Sequence, residues 1–300
     1  MNKRLLGNFY IGITAFAALL IFLLVAFILL DIFRGGLAKL SWEFLTQPPK
    51  EGMTAGGIFP AIYGTVVLVL LMTILGLPLG IITAIYLSEY TTAENWLART
   101  VRFAVSNLAS VPSIVFGLFG LGFFVQFVGT GIDAVVAPKD EVIYGKPALI
   151  WAAATLAVLT LPVVIVSVEE TLRAVPRDYR EAALALGATK WQTTWKVVLP
   201  NAVGGILTGA ILAVSRGAGE VAPLLFTGAA FFLPKLPNSL DDQFMHLGYH
   251  LYVLATQSVD VEQTLPLQYA TTLVLLALTF LLNLSAILIR YRFRQKLIRT

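Results

Sequence analysis

Six long apolar runs constrain this chain more than any other feature: Phe9 to Leu30, Ile58 to Tyr86, Val101 to Val128, Ala148 to Val168, Gly204 to Ala222 and Tyr269 to Ile289. Each approaches or exceeds the roughly 20 residues that carry a helix across hydrocarbon. No water is available there to bond free backbone amides, so lipid-facing spans of this kind are helical. Of 300 residues, 58% are apolar and 13% charged, against about 45–50% and about 25% in soluble domains. The sequence therefore predicts an all-α, polytopic membrane protein with six transmembrane helices.

Lys3 and Arg4 precede the first run. Its apolar length exceeds the roughly 7–15 residues of a secretory signal, so it is expected to be an uncleaved anchor. Cysteine is absent, which excludes disulfides and Cys-ligated metal centres.

Orientation follows from Lys and Arg, which gather in cytoplasmic loops. Lys3, Arg4, Arg99, Arg102, Arg173, Arg177, Arg180, Lys190, Lys196, Arg290, Arg292, Arg294, Lys296 and Arg299 fall on one side. The other side holds Arg34, Lys39, Lys50, Lys139, Lys146 and Lys235, and Arg216 lies within the fifth run. Both termini are thus expected in the cytoplasm, and membrane lipid is the solvent of the spans. The Arg-rich tail 290–300 reads as a stop-transfer flank, and no nucleic-acid partner is expected.

The longest outer loop, Phe231 to Gln268, is expected to hold a helix from Ser239 as N-cap to Thr256, because Ser239-Leu240-Asp241-Asp242 has a start signal. His246 and His250 share one face of that stretch, a turn after Asp242. Two polar tips on an interfacial or partner-facing helix are the simpler reading, and no metal site is assigned. Pro78, Pro112 and Pro162 fall inside the second, third and fourth runs. They either break helices that line a pathway or are ordinary transmembrane prolines.

Between Pro176 and Pro200 the sequence predicts two short helices. Pro176 suits a first turn, and Gly187 suits a C′ position of positive φ. Thr189-Lys190-Trp191-Gln192 is a capping box, with Thr189 as N-cap and Gln192 at N3.

Glu181, Ala182, Ala183, Gly187, Val197, Leu199 and Pro200 have the spacing of an EAA-x3-G-x9-I-x-LP loop, with valine where isoleucine is usual. This resembles the permease subunits of binding-protein-dependent ABC importers. The stretches Ser110 to Gly117 and Arg216 to Gly228 are similar to those of PstA-type phosphate permeases. The resemblance implies the type I ABC importer permease fold, divided into an anchor helix and outer loop (1–57), a permease core (58–289) with a coupling hairpin (176–200), and a basic tail (290–300). It further implies a second permease subunit (PstC-type), ATPase subunits (PstB-type), an extracytoplasmic phosphate-binding protein (PstS-type) and inorganic phosphate as cargo. Phosphonate, sulfate or molybdate are the alternative cargoes.

A charge at helix centre costs about 2.5–3.5 kcal/mol on insertion scales, so Arg216 requires a partner, water or a substrate. Glu220 stands at i+4. A guanidinium matches phosphate oxygens bidentately, so Arg216 and Glu220 are candidate substrate-pathway residues. The alternative is an ion pair that only orients helices. Gly205, Gly209, Ala213 and Gly217 form a small-residue stripe beside them.

No GxxxxGK[ST] loop occurs, so ATP hydrolysis is expected on a separate polypeptide. No cofactor and no catalytic residue is assigned. A secondary transporter would instead show repeated halves or several intramembrane carboxylates. A membrane enzyme would need a recognisable catalytic set.

Overall fold

The computed structural model describes residues 3–50, 55–92, 94–138, 141–258 and 261–298. Lys139 and Arg299, which entered the charge partition, lie outside them. Among the described residues six helical stretches are long and apolar enough to span a bilayer: Gly7–Leu37, Phe59–Tyr90, Ser113–Val136, Leu149–Ala174, Lys190–Gly219 and Thr264–Arg292.

The first helix, α1 (Lys3–Leu37), is apolar on every side, and its large side chains from Phe9 to Leu30 stay exposed. A helix without a polar face suits a lipid environment. It packs on the last helix, α13 (Val261–Ile298). Gly35 and Gly36 allow the contact, because a β-carbon at either would overlap Tyr269 or Leu273. A short helix α2 (Trp42–Thr46), capped by Ser41, and the ribbon β1 (Pro49–Lys50) with β2 (Ala55–Gly56) lead into the second span.

The centre of the bundle is formed by α3 (Phe59–Ile85), α7 (Leu149–Ala174) and α10 (Leu199–Gly219), which pack extensively on one another. Gly76 and Gly80 of α3 lie against Ala157 and Val164 of α7. The stripe on α10 does the same: Gly205 meets Thr171, Gly209 meets Ser167, Gly217 meets Met72, and Ala213 is buried. Small residues thus let backbones close in where apolar side chains gain little from leaving lipid.

Several sequence expectations are corrected. The third span does not run from Val101 to Val128. Residues Trp96–Leu108 form a separate amphipathic helix, α4, capped by Asn95, whose Oδ1 accepts from the amides of Leu97 and Ala98. Pro112 then acts as N-cap of α5 (Ser113–Phe119), which continues through a wider, π-helical stretch at Gly120–Gly129 into α6 (Thr130–Val136). The residue before a proline avoids helical geometry, so Pro112 divides two helices and does not sit inside one. Pro78 and Pro162, by contrast, lie within continuous helices.

The second hairpin helix is not short. From α9 (Lys190–Thr193) a wide turn at Thr194–Val198 passes directly into α10, giving one helix from Lys190 to Gly219. Pro200 falls in the first turn of α10, where a missing N–H is tolerated.

The outer helix, α12, begins at Leu247 and ends at Thr256, not near Ser239. Asn238 and Ser239 instead donate backbone amides to Asp242 Oδ2 at 2.8 and 3.0 Å, and these bonds hold the Asp242 carboxyl below its ordinary pKa. The start signal therefore closes a tight turn. Asp242 is engaged there, and among the described residues no group of three or more potential metal ligands forms.

His246 and His250 are buried, contrary to the expectation of polar tips. Neither nitrogen of His246, nor Nδ1 of His250, has a hydrogen-bond partner among the described residues. Burial pushes both imidazoles down to about 4 from 6.5. The unfolded chain therefore binds more protons than the native one between these values, so stability holds above pH 6.5 and falls toward pH 4. Both rings act in the same direction in that window. Thermal unfolding in detergent should show lower stability at about pH 5 than at about pH 7, and joint His246→Leu and His250→Leu substitution should flatten the difference.

Candidate functional site

The hairpin follows from its local chemistry. Pro176 is the N-cap, not a first-turn residue, and α8 (Arg177–Ala185) carries Asp178 in its first turn, where the helix dipole favours an anion. At the other end Gly187 takes φ 87°. Its amide donates to Leu184 O at 2.9 Å, and that of Ala188 donates to Ala183 O at 3.1 Å. These two bonds make a Schellman cap, which favours glycine at the turning position. The capping box is formed as well: Thr189 Oγ1 accepts from Gln192 N at 3.2 Å, and Gln192 Oε1 accepts from Thr189 N at 2.9 Å.

The seven motif positions divide in space. Glu181, Ala182 and Gly187 are exposed, Ala183 is half-buried, and around them Tyr179, Leu184, Leu186, Trp191 and Trp195 stand clear of the chain. An apolar group of that size, with Leu186 at 90% exposure, has the character of a docking surface. Val197, Leu199 and Pro200 are half-buried. Leu199 packs against the core cluster to which α3, α4, α7 and α10 contribute, so this position helps seat the hairpin on the bundle.

What holds the hairpin is a charged clamp that no sequence motif announces. Arg180, the residue before Glu181, donates from Nε and Nη2 to the two oxygens of Glu89 at 3.0 and 2.7 Å. Glu89 lies in the wide turn Tyr86–Tyr90 that ends the second span. Arg180 also donates from Nη1 to Val175 O at 2.7 Å and from Nη2 to Leu172 O at 2.8 Å, the latter already accepting from the Val175 amide at 3.3 Å, and so binds the end of α7. A second cluster lies beside it. Glu169 Oε1 accepts from Arg102 Nε at 2.9 Å and from Arg173 Nη2 at 2.6 Å, while Arg102 Nη2 reaches Leu87 O at 2.7 Å. The side chains of Glu89 and Glu169 are only 8% and 11% exposed. The available signal was the pair of carboxylates near the ends of apolar runs, which are costly unless paired.

The second candidate site lies where α10 stops. Arg216 is in its last turn, a favourable place for a cation, and Glu220 follows in extended conformation. Their closest approach, Arg216 Nε to Glu220 Oε1, is 3.6 Å. That is an ion pair too long to count as a hydrogen bond. The side chains are 37% and 20% exposed. At this level Gly217 meets Met72 and lies near Thr160, both close to the midpoints of α3 and α7. One residue away, Ser215 Oγ donates to Asn283 Oδ1 at 2.5 Å and ties α10 to α13.

Beyond the break, Pro223 and Phe226 press on Gly117, while Thr227 and Thr155 close on Gly120. The amide of Ala148 donates to Thr227 O at 2.9 Å. A short helix α11 (Leu224–Thr227) is thereby wedged between α5 and α7. The stretches Ser110 to Gly117 and Arg216 to Gly228, far apart in sequence, meet here.

Comparisons with known proteins agree with this fold. Residues 76–299 match the family described as "Binding-protein-dependent transport system inner membrane component". The chain is 32% identical to a probable ABC transporter permease protein, YqgI, of Bacillus subtilis, over 79% of this chain and 74% of that protein. It is 35% identical to the phosphate transport system permease protein PstA of Haemophilus influenzae, over 75% of this chain and 72% of that one. With PstA of Yersinia pestis identity is 42% over 64% of this chain and 59% of the relative. Among solved structures, a bacterial alginate ABC transporter superposes with a TM-score of 0.64 at 16% identity, covering 95% of this chain and 93% of that one. The MetNI methionine ABC transporter gives 0.55 at 21% identity, over 79% and 94%. At such identities these likenesses concern the fold.

Proposed function

We propose a function from the premise that this chain belongs to the family of binding-protein-dependent transport system inner membrane components: it is the permease subunit of an ATP-driven phosphate importer. The relatives named as phosphate permeases support the cargo. The observation that carries the reading is Arg216, half-exposed at the depth where α10 breaks and held 3.6 Å from Glu220. A guanidinium so placed has donors left for a tetrahedral oxyanion. Glu220 keeps the cation from forming a lasting salt bridge with its cargo. Family membership does not favour the alternative of a secondary transporter.

In this reading the hairpin and both termini face the cytoplasm. ATP is hydrolysed on separate PstB-type subunits, which grip the surface around Glu181. A PstC-type permease completes the pathway, and a PstS-type binding protein delivers phosphate from outside. Closure of the ATPases moves the hairpin, and the bundle switches between outward and inward access. Because α9 and α10 are one helix, that movement reaches Arg216 directly. The clamp carries it to α3 and α7 as well.

Co-purification tests the docking half. Glu181→Arg, made on an exposed position, is expected to reduce recovery of the ATPase subunits at least about tenfold, the scale of losing one favourable interfacial charge contact. Undiminished recovery would remove Glu181 from the interface. Competition of labelled phosphate uptake by phosphonate, sulfate and molybdate tests the cargo, with unlabelled phosphate expected to compete best.

A further inference from the structure

Beside the hairpin lies a cleft of about 580 Å³ whose walls carry Arg102, Arg173, Arg177, Arg180 and Lys190 against Glu89 and Glu181. Glu89 is already bound by Arg180, and Arg102 and Arg173 share Glu169. The exposed Arg177 and Lys190 leave a surplus of positive charge. The ammonium of Lys190 sits 5.6 Å from the centre of the Tyr90 ring.

An adjoining groove of about 310 Å³ shares Leu87, Arg102 and Arg173 with this cleft. It continues along Val105, Ala109, Ile165 and Val166, between α4 and α7, with Ser106, Glu169 and Glu170 also in its walls. A basic chamber thus opens into a mainly apolar channel, with two arginines, both bonded to Glu169, at the junction. The surroundings fix the depth. Tyr90 and Trp96 are exposed at the end of the second span and the start of α4, and such aromatic side chains gather at the membrane–water boundary. Helix α4, apolar on one face and basic on the other, has the build of a helix lying in that boundary.

We infer that this pair of cavities binds an anionic phospholipid, its phosphate-bearing headgroup in the basic cleft and one acyl chain in the groove. Basic pockets between spans at headgroup depth are suited to such ligands. Free phosphate has the same headgroup chemistry, but it leaves the apolar groove without a role. A lipid seated there touches α4, α7 and the hairpin together and braces the coupling element. The inference requires a bilayer-spanning chain and nothing of the cargo reading, so the two fail separately.

The test is lipid retention by the full chain, purified from nanodiscs of phosphatidylethanolamine with phosphatidylglycerol and observed by native mass spectrometry. Phosphatidylglycerol is expected to stay bound in preference to phosphatidylethanolamine. Joint Arg177→Gln and Lys190→Gln substitution, at exposed sites, should weaken retention by about thirtyfold, the effect of two interfacial cations. Val166→Trp, filling the groove from its exposed side, should also displace the lipid while leaving the basic cleft intact. Equal retention of the two lipids, or retention unchanged in both variants, overturns the inference. So does displacement by inorganic phosphate combined with no effect of Val166→Trp, which would assign the cleft to free phosphate.

Discussion

Arg216→Ala is expected to lower phosphate uptake in reconstituted vesicles by about ten- to a hundredfold, the loss of one charge-assisted contact of about 1.5–3 kcal/mol. The single variant alone leaves Glu220, 20% exposed, without its counter-ion, so a fall in uptake has two possible origins. The double variant Arg216→Ala with Glu220→Ala separates them. It removes both charges from the break in α10 and leaves no unpaired group. If the pair serves only to orient helices, the doubly neutral protein transports at the parental rate. If Arg216 meets the cargo, uptake stays low although the complex assembles. Arg216→Lys should recover only part of the rate, because an ammonium keeps the charge and loses the planar fork. Parental uptake in assembled single variants would remove both residues from the pathway.

Arg180→Met should have the largest effect on stability. It leaves Glu89, 8% exposed, as a buried unpaired carboxylate and removes a donor from the carbonyls of Leu172 and Val175. Breaking one side of a buried pair costs about 3–5 kcal/mol. Adding Glu89→Leu should return most of that loss, since two apolar groups in place of a buried pair are often neutral. Coupling is expected to respond differently. The double variant keeps the hairpin on its continuous helix but loses the bond to α3, so ATP turnover should persist while phosphate moved per ATP falls. Proteoliposomes that report hydrolysis and uptake together can measure this ratio. An unchanged ratio in the folded double variant would confine the clamp to stability.

Much of this architecture is legible in the residues because bilayer physics leaves few choices. Apolar length reveals the spans, and within the hairpin the turn at Gly187 and the capping box of Thr189 and Gln192 form as their residues predict, since each cap is a local matter of a few side chains. The boundaries that depend on context are not legible in this way. Val101 to Leu108 is apolar enough to pass for part of a span, yet Asn95 and Pro112 isolate it as α4. Ser239 carries a helix-start pattern, and Asp242 turns it into a closed loop. The Arg180–Glu89 clamp joins positions 91 residues apart, and no local pattern marks such a partner. Arg216 and Glu220 stand out because a charge inside an apolar run demands an explanation. Their separation of 3.6 Å and the wedge of α11 beside Gly117 depend on packing between distant segments, which no local pattern encodes.

Because Lys190 to Gly219 is a single helix, the direction in which Arg216 points is phase-locked to the hairpin. Each residue of an α-helix adds about 100° of rotation and about 1.5 Å of rise. Gly204 faces open space, so one alanine inserted beside it keeps the motif, both caps and the charged pair intact as sequence. It nevertheless turns Arg216 by more than a quarter of a circle relative to Trp191. Screw phase, as well as residue identity, is therefore encoded in the stretch that separates the exposed hairpin from the charged pair.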